Sequence, residues 1–427
     1  MAEFANRIAV ISALLYSVFA SIGAVQAAPV ADLSAGQTGL IEFESITPTN
    51  IAEFVQNKTT TKTTISATLT LPDGVGGKVP AMILAHHCGG SNTNTVKNLA
   101  AMLNRIGLAT FVPDSFTNRG YPNGVCTGST INNTAAIADN LHALKLLATH
   151  PSIDAGRIGI IGQSYGGGAV YTTAFEEARK VVMGGSALKF AAHVALYPTG
   201  CSSRYWSDNM TGAPILTLLG EKDDWTPPGP CMDFMQKLRA KGTPTTTIVY
   251  PDAYHSWDGS TTLTQNASWT SLGNCYWNYR MDTLQSGLYD GSGRTFTSSA
   301  AVTDYINSCK KLGASQMGDT ATKAKAETDI ADFLVRVFKL NNVATSASQP
   351  DRIFNYLEDI YKAYLMPAGA TSQTASGYYF RYYPTTNLYI ATNGDGQVYY
   401  YLPGSTPKPA PLGSEASLLN EAGLKGY

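Results

Sequence analysis

The sequence predicts an α/β architecture: a mostly parallel, doubly wound sheet, followed by a small α+β, aromatic-rich module at the C-terminal end. Three observations carry this. Between residues 30 and 341, short apolar runs recur without polar/apolar alternation, as strands covered on both faces require. Amphipathic stretches of helical length separate them, and that alternation builds parallel sheets. After a linker at Asn342–Pro350 the composition changes, with 11 tyrosines in residues 351–402.

The elements follow in order. Arg7 precedes an apolar stretch, Ile8–Val25, and small side chains at Val25 and Ala27 place a cleavage site after Ala27. Residues 1–27 therefore read as an export signal; an uncleaved anchor is the alternative, since about 18 apolar residues just span a bilayer. Gly39–Ile46 and Thr63–Pro72 suggest an antiparallel start. Further strands are expected at Pro80–His86, Ala109–Asp114, Arg157–Gly162, His193–Pro198, Pro214–Gly220 and Thr245–Pro251. Helices are expected at Val96–Arg105, Asn132–Ala148, Gly166–Arg179, Cys231–Lys241 and Thr320–Leu340. Residues 256–318, rich in Thr, Ser, Gly and Asn, read as one long inserted loop carrying Cys275 and Cys309. The module should open with a helix, Arg352–Leu365, and continue with strands Tyr378–Tyr383, Leu388–Ala391 and Gln397–Leu402, turning at Asn393–Gly396. Its alternating aromatics suit a small core better than a stacking platform for polymers or cell-surface material. Residues 403–427 read as a loose tail.

Composition excludes some partners. Charged residues are 14% of the chain, against roughly 25% in an average domain, and the net charge is −1. No basic stripe marks a nucleic-acid partner. Six cysteines between residues 88 and 309, in an exported chain, favour disulfides, with the pairing left open by the residues alone.

The chemistry centres on Gly162-Gln163-Ser164-Tyr165-Gly166, set between an apolar strand and a helix. A sharp strand-to-helix turn there lifts the serine hydroxyl above the sheet and aims the N–H groups of the helix start at a developing oxyanion. Serine needs a base, and the base needs an orienting carboxylate. Asp223 and His255 follow the next strands, on the edge where open α/β sheets gather their sites. Asp224 is the alternative acid. His142 and His150 read as surface or capping groups and His193 as structural. The backbone N–H groups of Cys88 and Tyr165 are the expected oxyanion donors. His87, Arg119, Trp225 and Trp257 are candidates for a substrate pocket. A metal reading of His86-His87-Cys88 is set aside, because adjacent strand residues point to opposite faces; no metal or organic cofactor is implied.

Together, His86…Cys88-Gly89-Gly90, Asp114-Ser115-Phe116…Arg119-Gly120, Gly162–Gly166, Gly220…Asp223…Pro227 and Tyr250-Pro251…Tyr254-His255 make residues 60–340 resemble the dienelactone hydrolase family, especially its exported members. The resemblance implies the α/β-hydrolase fold, with Ser164, Asp223 and His255 at the triad positions. It also implies neighbouring strands that would pair Cys88–Cys126 and Cys201–Cys231, leaving Cys275–Cys309. Two departures matter. The family's dienelactone hydrolases use a cysteine nucleophile, so Ser164 points away from butenolides to ordinary esters. The usual His-Gly of the oxyanion loop is His86-His87. Arg119 could hold a substrate carboxylate; a structural ion pair is the competing role. The C-terminal segment (Phe354-Asn355-Tyr356-Leu357-Glu358…Tyr378-Tyr379-Phe380-Arg381-Tyr382-Tyr383) resembles a small tyrosine-rich module of assorted exported bacterial proteins.

The expectation is thus a secreted or periplasmic serine hydrolase cleaving carboxylic esters, small or polymeric, with no stable membrane anchor once the signal is removed. A polyester depolymerase would use the same chemistry. A peptidase or a non-catalytic surface-binding protein is the more distant alternative.

Overall fold

The computed structural model describes residues 29–74, 76–122, 124–126, 133–340, 349–360, 365–375, 378–392, 397–401 and 408–414. The export signal, most of the linker and the Asn393–Gly396 turn lie outside them. Among the described residues no helix is long and apolar enough to cross a membrane.

The strands of the large domain are β1 (Gly39–Ile46), β2 (Lys62–Thr70), β3 (Val79–Ala85), β4 (Ala109–Asp114), β5 (Ile153–Gln163), β6 (His193–Leu196), β7 (Arg204–Trp206), β8 (Ile215–Gly220) and β9 (Thr245–Tyr250). All but β7 form one sheet in the order β1-β2-β4-β3-β5-β6-β8-β9. The β1–β2 and β2–β4 pairs are antiparallel and the remainder parallel. The helices are α1 (Ile51–Val55), α2 (Asn94–Arg105), α3 (Asn133–Leu147), α4 (Tyr165–Thr173), α5 (Glu176–Met183), α6 (Pro228–Ala240), α7 (Ser299–Cys309), α8 (Thr320–Phe338) and α9 (Gln349–Ile360).

Two cores follow from the strand period. Ala81, Ile83 and Ala85 of β3 join residues of α3 to α6 on one face, while Met82 and Leu84 join α2 and α8 on the other. With every residue of β3 buried, polar alternation is impossible, which is why these strands read as unbroken apolar runs.

Three expectations need correction. The helix expected over Gly166–Arg179 is two, α4 and α5, because Phe175 is extended and bridges to Met210. Residues 256–318 are not a loop. They hold β10 (Thr264–Ser271), β11 (Trp277–Arg280), β12 (Gln285–Leu288), β13 (Thr295–Phe296), α7 and β14 (Lys311–Gln316). β10 pairs with β14, and β11 to β13 form a second small sheet with β7. These strands are polar and mostly half-exposed, so no apolar pattern announced them.

The third correction lies in the module, a five-stranded antiparallel sheet of β15 (Thr371–Ala375), β16 (Tyr378–Tyr383), β17 (Leu388–Thr392), β18 (Gln397–Tyr401) and β19 (Lys408–Ser414). Part of the expected tail is therefore strand β19. It contains two prolines, and it lies at the sheet edge, where missing N–H donors are tolerated. Ile353, Phe354 and Leu357 of α9 pack with Tyr383, Ile390 and Val398 as a separate small core.

Candidate active site

Ser164 sits between β5 and α4 with φ 49° and ψ −110°, a conformation that costs a non-glycine residue free energy and needs its surroundings to impose it. The flanking glycines make this possible. A Cβ on Gly166 would lie 1.9 Å from the Ala85 carbonyl oxygen, and one on Gly162 would lie 2.6 Å from the Gly166 backbone. The Ser164 N–H donates to Leu196 O at 2.9 Å, and its carbonyl accepts from Gly168 and Thr199.

The side chains of Asp223 and His255 meet this serine. His255 Nε2 is 3.0 Å from Ser164 Oγ, and His255 Nδ1 is 2.8 Å from Asp223 Oδ2. With Nδ1 protonated, the imidazole donates to the carboxylate and accepts from the hydroxyl. All three residues are buried. The Asp223 carboxylate is fixed by the N–H groups of Trp225 and Thr226, at 3.0 and 2.7 Å, and by the Thr226 hydroxyl at 2.8 Å. Asp224, the alternative acid, is turned elsewhere. It accepts the N–H and hydroxyl of Ser315 on β14, so geometry favours its neighbour.

The loop after β3 is shaped by its two histidines. His86 accepts the Ser115 N–H and contacts His87 O; His87 Nδ1 accepts from Gly89 N–H, and its Nε2 meets the hydroxyls of Thr93 and Thr95. Burial, with the imidazoles of His86 and His255 nearby, lowers the His87 pKa to about 4, so near neutrality it is an uncharged ring inside the loop. Cys88 follows, its carbonyl bonded by Val125 N–H and its sulfur joined to Cys126. The cysteines pair as Cys88–Cys126, Cys201–Cys231 and Cys275–Cys309. The sulfurs nearest His87 are thus bonded to each other rather than available as thiolates for a metal.

Two pocket candidates are corrected. Arg119 is structural: its five N–H donors go to Thr47 Oγ1, Ser115 O, Ile46 O and both oxygens of Asp139, and its side chain is 6% exposed. Trp257 is 1% exposed and packs edge-on against Tyr197 and Tyr250 in the core. Trp225 remains near the triad candidates, 4.9 Å from the His255 ring and stacked on Trp269 at 4.1 Å.

Other residues at the site carried no sequence signal. Asp258, half-buried in the loop of His255, accepts from the Tyr197 hydroxyl at 2.6 Å and from the Gln163 amide. Burial raises its pKa. Met317 N–H donates to His255 O at 3.1 Å, so the end of the insertion returns to His255.

With this geometry in place, comparison with known proteins adds the lineage. No curated protein matches the chain. Among solved structures, a candidate dienelactone hydrolase from Klebsiella pneumoniae subsp. pneumoniae is 21% identical, with a TM-score of 0.39 over 52% of this chain and 89% of that one. Est1E of Butyrivibrio proteoclasticus, bound to ferulic acid, is 18% identical, with a TM-score of 0.35 over 45% and 88%. A thermophilic esterase of Thermogutta terrifontis, bound to propionate, is 12% identical, with a TM-score of 0.37 over 45% and 80%. Residues 65–270 match the dienelactone hydrolase family. Through these residues, just under half of the chain, the large domain is similar to the dienelactone hydrolase family of α/β-hydrolases.

Proposed function

We propose that this hydrolase is an exported serine esterase that cleaves carboxylic esters through an acyl-enzyme. The observation that carries the reading is the continuous chain from Ser164 Oγ to His255 at 3.0 Å and on to Asp223 at 2.8 Å, built around a serine in strained backbone. Ser164 Oγ attacks the ester carbonyl carbon as His255 Nε2 takes its proton. Asp223 orients and stabilises the imidazolium. The carbonyl electron pair moves onto oxygen, which the N–H groups of Cys88 and Tyr165 receive, each contributing about 3 kcal/mol in the transition state. Collapse breaks the bond to the alcohol oxygen, which leaves with the proton from His255. Water then repeats the sequence and releases the acid. Three disulfides fit an oxidising compartment and support export.

Hydrolysis of p-nitrophenyl butyrate by the wild type and by Ser164→Ala tests the reading. The variant should lose a factor on the order of 10⁴ or more in kcat. Equal turnover by the two proteins rejects it.

A further inference from the structure

A cavity of about 120 Å³ lies between the loop after β6, the start of α6 and the turn after β10. Three of its wall residues, Thr199, Thr226 and Trp225, bond or pack against the triad residues, which do not themselves line it. Thr199 donates its N–H to the carbonyl of Ser164 at 3.0 Å. Thr226 Oγ1 is 3.1 Å from His255 Nδ1, and the Trp225 ring lies 4.9 Å from the imidazole. Elsewhere the wall includes the Cys201–Cys231 disulfide and Leu272 of the insertion. No residue lining the cavity carries a charge.

Resting on the serine-esterase reading above, we propose that this cavity holds the acyl part of the ester, and that this part is short and uncharged. The acyl group stays bonded to Ser164 through both chemical steps, whereas the alcohol must depart after the first. A chamber tied to the serine's own backbone suits the part that stays. Its volume equals about four waters at ~30 Å³ each, which limits a saturated chain to roughly two to four carbons. A carboxylate placed there would lose its hydration with no cation to replace it. Arg119, the cation that could have served, is fully engaged by Asp139 and nearby carbonyls.

The test varies the two sides of the ester separately. With p-nitrophenol constant, kcat/KM should peak between acetyl and butyryl and fall at least about tenfold by octanoyl. The hemisuccinate should be at least about tenfold poorer than the butyrate. With butyryl constant, changing the alcohol from methyl to hexyl should move kcat/KM far less. Leu272→Ala should shift the acyl optimum to longer chains and Leu272→Trp to shorter ones, each checked by its thermal unfolding. A flat acyl profile, an optimum at octanoyl, efficient hemisuccinate cleavage, or a dependence carried by the alcohol series overturns the proposal. Each of these outcomes needs an active serine enzyme; turnover unaffected by Ser164→Ala strikes the esterase reading instead.

Discussion

Strands β3 and β10 hold the backbone in place by different means. All seven residues of β3 are buried, whereas β10 buries only Trp269 and Ser271 of its eight. The sheet is fixed by apolar packing on two faces. The insertion is fixed by hydrogen bonds, a disulfide and its returns to the loops of Asp223 and His255, among them Trp269 on Trp225, Ser315 on Asp224 and Met317 on His255. Ser164 therefore rests on the sheet, while His255 rests partly on the insertion. Perturbing one region should reveal which part of the site it supports.

The largest effect should come from the sheet side. In Gly166→Ala the added methyl group would stand 1.9 Å from the Ala85 carbonyl oxygen, against backbone that belongs to β3 and cannot yield as a side chain can. The start of α4 must move, carrying Ser164 and the Tyr165 N–H with it. We expect kcat/KM to fall on the order of 10²–10³-fold. A variant of wild-type activity would mean that the close approach of α4 to β3 is not needed to set the nucleophile.

A smaller effect, of different character, should follow from cutting the insertion's cross-link. Cys275 and Cys309 are 34 residues apart, and a closed loop of that length contributes about 3–4 kcal/mol through the unfolded chain. In Cys275→Ser/Cys309→Ser the loss should fall on β10 and β14, seen as faster amide exchange there with β5 still protected. Turnover should drop about tenfold as the clamp on His255 loosens. If the insertion exchanges quickly but kcat holds, the base does not depend on it.

The same contrast explains what could be read from the sequence. Buried parallel strands broadcast themselves, since both faces demand apolar side chains; β4 and β8 were legible for that reason. Ser164, Asp223 and His255 were legible because loops at strand ends carry their chemistry in residue type and order. Asp258 was not, because a carboxylate three residues beyond His255 resembles any loop aspartate until the Tyr197 hydroxyl is seen on it. Arg119 misled for the opposite reason: a guanidinium in a loop suits a ligand equally well until Asp139, from another helix, takes it. Strands held by partner hydrogen bonds, such as β14, leave little trace in local sequence.

Acid should reverse the ranking of the two regions. His193 on β6 is fully buried, and burial lowers its pKa to about 3, against about 6.5 in an unfolded chain. Between those values the unfolded chain binds a proton that the folded one refuses, so stability falls as pH falls through that window. Taking pH 7 to 5, this costs about 2 kcal/mol, and His87, with its pKa near 4, acts in the same direction. The insertion, residues 256–318, has no histidine. Its Arg280 bonds Asp208, whose pKa those Arg280 bonds, with Lys241, lower to about 2, so this pair stays ionised at pH 5. The packed sheet should thus weaken in mild acid while the polar insertion keeps its contacts. Thermal unfolding at pH 7 and 5 should show a loss in the wild type that is about 2 kcal/mol smaller in His193→Leu, whatever that substitution costs at pH 7. Equal losses in the two proteins would mean that the acid sensitivity of the sheet lies elsewhere than in this imidazole.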